Sequence, residues 1–185
     1  MSEDTASRVH LSPADIRTLH ELLVETSAAT SAGVVSPGDI DYAVDQVRAG
    51  PFGRTPDSRH DAAAELIRLI AANHPFVDGN KRTALMSARC FYALNGTRFD
   101  YDRDIKTILK AYATDAPAVD AQEVVEYLRT HTEPLPRAYE ATVELWLRYL
   151  EDPNEREASR VTLLRFLGRQ DLDEHAAIYE ELATE

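Results

Sequence analysis

Cysteine is almost absent from this chain of 185 residues: Cys90 is the only one. No intramolecular disulfide can form, which fits a reducing compartment. Its helical neighbours Ala88, Phe91 and Leu94 read as a buried face, so Cys90 is an inert thiol rather than a nucleophile. Lysine is nearly as scarce, with only Lys81, Lys106 and Lys110, and the formal net charge is −12. That deficit of positive charge argues against nucleic-acid binding, which needs a basic face, and against attraction to anionic membranes. No apolar run reaches the length of a membrane span, and residues 1–10 are polar where a signal peptide would be apolar. The expectation is a cytoplasmic protein. Several chemical signatures are missing as well. There is no P-loop glycine pattern, no kinase catalytic loop and no nucleophile elbow. His10, His20, His60, His131 and His175 are scattered without metal-ligand spacing, so no structural zinc is expected.

A hydrophobic fraction of 44% and a charged fraction of 28% are ordinary for a globular protein of one domain, or of one domain with an appendage. The pattern is nearly all helical. Ser12-Pro13 opens a helix carrying Ile16, Leu19, Leu22 and Leu23 on one face, and Ser36-Pro37 opens a second. Residues 49–56 are rich in glycine and proline and read as a loop. Asp57 or Ser58 starts a strongly apolar helix ending near Asn73, the expected centre of the bundle. Asn95-Gly96 stops a later helix, 97–101 read as a short extended connection, and 102–113 and 121–130 read as further helices. Glu133-Pro134-Leu135-Pro136 is the best boundary. It divides the chain into a catalytic domain over residues 1–133 and a helical extension over 134–185, with helices expected near 137–150, 154–167 and 172–183. Leu145, Trp146, Tyr149, Leu163, Leu164, Phe166 and Leu167 make that extension too apolar for a disordered tail. It is expected to dock on the bundle or to mediate self-association.

The stretch that carries chemistry is His74-Pro75-Phe76-Val77-Asp78-Gly79-Asn80-Lys81-Arg82-Thr83-Ala84, which runs straight into an apolar-periodic helix. Backbone N–H groups at a helix start attract anions, and Lys81 and Arg82 add charge and hydrogen bonds. Asp78 suits a magnesium ion carried by a nucleotide. His74 is the one base in the stretch suited to proton abstraction near neutral pH. Taken singly, His74-Pro75 would read as a helix end and Asp78-Gly79-Asn80 as a turn. Two cations in a first helical turn, however, oppose the helix dipole unless an anion joins them.

This stretch resembles the signature of the Fic/Doc family, written roughly H-x-F-x-D/E-G-N-G-R-x-x-R in Fic enzymes. Lys81 in place of the second glycine and Leu85 in place of the final arginine resemble the Doc branch, toxins of toxin–antitoxin pairs. The resemblance covers about residues 11–130. It implies an all-α helical bundle with a short flap between Gly33 and Phe52 that aligns a target peptide. It also implies His74 as the base and Phe76 as a core anchor. Asp78 would hold the metal, Gly79, Asn80, Lys81 and Arg82 the nucleotide, and Lys81 and Arg82 would stabilise the transferring group. The implied cofactors are ATP and Mg2+, and the implied partners an antitoxin and elongation factor Tu as the protein substrate. The implied reaction is transfer of the γ-phosphate to a serine or threonine hydroxyl, which inhibits translation. AMP transfer, the Fic reaction, and a non-catalytic binding module are the alternatives. Gly79, where many Doc toxins have alanine, is a Fic-like feature. The inhibitory pattern of self-restrained Fic proteins, Ser or Thr followed four residues later by Glu, does not occur.

Overall fold

Serine caps start two of the main helices. The computed structural model describes residues 8–50, 53–152, 154 and 156–185, with the side chain of Tyr149 left aside. The expected loop residues Pro51 and Phe52, residues 1–7 of the polar N-terminus and the apolar position assigned to Tyr149 therefore lie outside the described residues. Ser12 and Asp15 cap one another at the start of α1 (Pro13–Thr26). α2 (Pro37–Ala49) begins on Pro37, whose fixed backbone angle suits a first turn. Ser58 and Asp61 make a second reciprocal cap for α3 (Arg59–Asn73). α4 (Asn80–Leu94) carries the rest of the motif and ends at Asn95-Gly96.

A short strand β1 (Thr97–Phe99) follows, then α5 (Ile105–Asp115), a 3-10 turn over Ala116–Ala118 and α6 (Ala121–Thr130). Asp120 caps α6 by accepting from the Gln122 amide. Strand β2 (Thr132–Pro134) pairs antiparallel with β1, setting Arg98 opposite Glu133. The chain closes with α7 (Arg137–Tyr149), α8 (Arg156–Glu174) and α9 (Ala176–Ala183). The architecture is all-α, with the β1–β2 ribbon as the sole sheet among the described residues.

α4 lies at the centre. Every one of its residues except Lys81 is buried, and it packs against α3, α1, α5, α8, α9 and β1. α3 covers one side with Ala62, Ala63, Leu66, Ile67 and Ile70, and α2 and α6 pack behind it. Cys90 is fully buried, which pushes its thiol well above its ordinary range and leaves it inert.

One helix differs from the pattern. A break was expected between Leu167 and Leu172, yet α8 runs unbroken through Gly168. A Cβ at Gly168 would lie 2.7 Å from Leu22 Cδ2 and 3.0 Å from Met86 Sδ. The glycine there permits close approach of α8 to α1 and α4 rather than ending a helix. Leu163 and Leu164 are both fully buried in the same core as Leu19, Leu22 and Met86. Where the resemblance implied a flap, Val34 makes an isolated antiparallel bridge to Phe76 of the motif loop, no hairpin forms among the described residues, and α2 begins at Pro37.

Because α8 shares the core, Leu163→Ala is expected to destabilise the whole chain by about 2–5 kcal/mol. Denaturant unfolding should remain a single transition by both far-UV circular dichroism and tryptophan fluorescence. Two separated transitions would show that residues 134–185 fold apart from the bundle.

Candidate active site

The motif loop begins where α3 must stop. His74 takes a left-handed conformation, φ 50°, and Pro75 cannot continue the helix. The His74 side chain is exposed, with Nε2 3.3 Å from the Ala113 carbonyl oxygen at the end of α5. The loop is then pinned along its backbone. The Val35 and Ser36 amides donate to the Pro75 carbonyl oxygen at 2.8 and 3.2 Å, and the Val77 amide donates to that of Gly33 at 3.0 Å.

Side chains fix it from below. Phe76 is buried and stacks on the imidazole of His20, with ring centroids 3.9 Å apart. His20 Nδ1 lies 3.1 Å from Thr83 Oγ1 on α4, while Nε2 is buried without a hydrogen-bond partner. Asn80 closes the loop on itself: its Oδ1 accepts from the Phe76 amide at 2.9 Å and its Nδ2 donates to the Phe76 carbonyl at 2.8 Å. The Asn80 side chain is thus a latch for the loop, and the nucleotide contact assigned to it has to share these bonds.

The charged residues sit around the start of α4. Asp78 Oδ1 accepts from the Gly79 amide at 2.5 Å, and its Oδ2 accepts from the Ser31 amide at 3.2 Å. Arg82 is buried, donates to Thr30 Oγ1 at 2.7 Å and lies 3.5 Å from Asp78 Oδ2. Gly79 has φ 73°, and an added Cβ would sit 3.3 Å from Thr30 Cγ2, so both backbone and space favour glycine here. Lys81, partly exposed, lies with Nζ 3.3 Å from Glu185 Oε2. Arg82 also lines a cavity of about 680 Å³ between the end of α1 and helices α8 and α9, with Arg169, Asp173 and Glu180 around it.

The helix starts themselves carry a contrast. α1 and α3 satisfy their first amides with Ser and Asp side chains. α4 has neither a side-chain cap nor an acidic residue in its first turn. Its first turn therefore keeps amides that no side chain on the helix caps, beside Lys81, and the positive end of the helix dipole lies there. The donor set for a metal is smaller: among the described residues no three His, Cys, Asp or Glu side chains cluster. Asp78, with its side chain 40% exposed, offers one carboxylate. That fits magnesium arriving on nucleotide phosphates, which commonly takes one or two protein carboxylates, and does not fit a cage built by the protein alone.

His20, Thr30 and Ser31 were not singled out in the sequence. The one signal for His20 was its place on the apolar face of α1 beside Ile16, Leu19 and Leu23. Thr30 and Ser31 gave none, since their role depends on a loop folding back across the site.

With the geometry in place, the comparisons are specific. Residues 10–92 match the family model described as Fic/DOC family. Over 69 residues the chain is 41% identical to a toxin Doc from Mycolicibacterium smegmatis, a match covering 37% of this chain and 53% of that protein. The chain thus spans about half the length of the curated relative it matches. On these matches residues 10–92 are similar to the Fic/Doc family, and the matched residues run through α1 to α3, the motif loop and most of α4.

Burial lowers the His20 pKa from 6.5 to about 4; the nearby Asp78 opposes the shift and Arg82 adds to it. Below pH 6.5 the unfolded chain takes up a proton that the folded chain refuses, so stability falls as pH drops from 6.5 towards 4. The loss amounts to at most about 3 kcal/mol. His10 is shifted in the same direction, chiefly by burial. Urea unfolding across this range should therefore show a shallower pH slope for His20→Gln than for the unaltered protein. Equal slopes would show that His20 is not held neutral.

Proposed function

We propose that this protein is a Doc-type transferase that moves the γ-phosphate of Mg-ATP to a serine or threonine hydroxyl of a protein substrate. On this reading it is a cytoplasmic toxin restrained by a cognate antitoxin. The observation that carries the reading is the N-terminus of α4, which no side chain caps. An uncapped helix start, two adjacent cations and a single carboxylate converge where a base stands at the end of the preceding helix.

The roles follow from the contacts. With Nε2–H of His74 donating to the Ala113 carbonyl oxygen, Nδ1 keeps its lone pair to accept the proton of the incoming hydroxyl. Gly79 lets the α4 amides approach phosphate oxygens closely. Lys81 and Arg82 offset charge on the transferring group, Arg82 from a buried position where its field is least screened. Asp78 would hold magnesium, which neutralises phosphate charge when bound. His20, Phe76 and Asn80 hold the loop that sets these groups in register. The backbone of residues 33–35 already pairs with the loop beside His74, which supports a substrate segment docking along this edge.

Elongation factor Tu is the substrate to test first, because of the chain's likeness to a toxin Doc. Incubation of that factor with the protein and Mg-ATP, read by intact mass, is expected to add one phosphoryl group. Addition of an AMP group would instead assign the Fic reaction, which Gly79 resembles and which Lys81 and Leu85 oppose. His74→Ala should lower the transfer rate by roughly 10²–10⁴-fold while leaving nucleotide binding nearly unchanged. Transfer by His74→Ala at the unaltered rate would remove the base assignment.

A further inference from the structure

Two of the chain's three lysines meet at one carboxylate. Lys81 is the second residue of α4 and Lys106 the second residue of α5. Lys81 Nζ lies 3.3 Å from Glu185 Oε2, and Lys106 Nζ lies 3.2 Å from Glu185 Oε1. Neither helix has an acidic residue in its first turn, although Asp104 is the N-cap of α5, and the two ammonium groups meet at this one carboxylate. One oxygen bonded to each of two cations from separate helices is also the arrangement a phosphate group accepts. Lys106 lies outside the motif, and nothing in its sequence surroundings marks it.

Glu185 is not required to hold α9 in place. Ile178, Tyr179 and Leu182 are buried against the core, and the Tyr179 hydroxyl donates to the fully buried Asp171 at 2.5 Å. Glu181 sits 2.9 Å from Arg103 as well as 2.7 Å from Lys106, so it keeps a partner if Lys106 turns away. The Lys81, Lys106 and Glu185 side chains are 21%, 21% and 29% exposed. Ion pairs at such a surface are weak and readily exchanged.

We propose that Lys106 and Lys81 form a clamp for a phosphate group of the nucleotide, and that Glu185 fills the clamp until the phosphate displaces it. This rests on the nucleotide reading above and adds to it a binding residue, Lys106, and an internal competitor, Glu185. The carboxylate mimics the anion: burial alone would raise its pKa, but hydrogen bonds from Lys106 and Lys81 hold it below the usual range and keep it charged.

The test is calorimetric binding of Mg-ATP, and separately of inorganic pyrophosphate, to the full chain at low salt. Glu185→Gln is expected to tighten binding roughly three- to fivefold by removing the competitor. Lys106→Gln should weaken it about tenfold, the loss of one charge-assisted contact. In the Lys81→Gln/Lys106→Gln background, Glu185→Gln should change nothing. Lys110→Gln, an exposed lysine one turn further along α5, serves as the control for net charge. If Mg-ATP binds but the Lys106 and Glu185 variants match the unaltered protein, the clamp is wrong and the nucleotide reading stands. If only pyrophosphate binds and shows the expected pattern, the clamp stands and the nucleotide reading falls. Failure of both ligands to bind either the unaltered protein or Glu185→Gln would overturn the proposal.

Discussion

The burial of α4 is the constraint on which the rest of the structure depends. A helix enclosed along its length can meet solvent only at its ends, and here Lys81 is its one residue that is not buried. All chemistry that α4 supports is therefore confined to its N-terminus. Its buried charges have to be answered locally, because an unpaired charge in the interior is far more costly than a paired one. Arg82 is answered by Thr30 and Asp78. Arg89 is answered by the Phe99 carbonyl and by Glu174, the ion pair to the latter measuring 2.5 Å. Each answer also fixes a neighbour: the first ties the loop after α1 over the motif, and the second ties the end of α8 to β1.

A buried carboxyl group does the same for α9. Asp171 on α8 is fully buried and accepts from the Tyr101 hydroxyl at 2.7 Å and the Tyr179 hydroxyl at 2.5 Å, with His175 Nδ1 at 2.9 Å. Burial pushes both tyrosine hydroxyls well above their ordinary range, so they stay protonated and remain donors. The network joins the segment after β1 to α8 and α9 and sets the direction in which α9 leaves. The end of α9 consequently arrives at the start of α5, where Lys106 and Arg103 meet it.

What was legible in the sequence was local. Ser12 and Ser58 announced helix starts because a cap is made within three residues. The motif was legible because its loop and helix start are contiguous. The run from Ala62 to Ile70 showed a buried helix through its composition. What was hidden depends on distant residues meeting. The pattern broke between Leu167 and Leu172, since nothing near Gly168 tells of Leu22 and Met86 across the interface. His20 looked like one scattered histidine until Phe76 stacked on it. Lys81 and Glu185 are separated by 104 positions, and no pattern along the chain relates them.

The two ends of the extension are held by different forces, and this decides how its role can be separated from its folding. α8 is held by apolar burial: Leu163 and Leu164 are fully enclosed, and Gly168 lies against Leu22 and Met86. Glu181 in the last turn of α9 is held at the surface by ion pairs to Lys106 and Arg103, and Glu185 just past the helix pairs with Lys81. Deleting residues 134–185 would uncover Leu19, Leu22 and Met86, and loss of that burial costs far more than a surface ion pair contributes. A truncated chain that lost activity would then report a damaged core, and one that gained activity would do so against that loss. Neutralising Glu185 leaves α8 and the Asp171 network untouched and alters only the anion that faces Lys81 and Lys106. Any change in nucleotide affinity that follows belongs to the site itself, because the part of the extension that supports α4 has not moved.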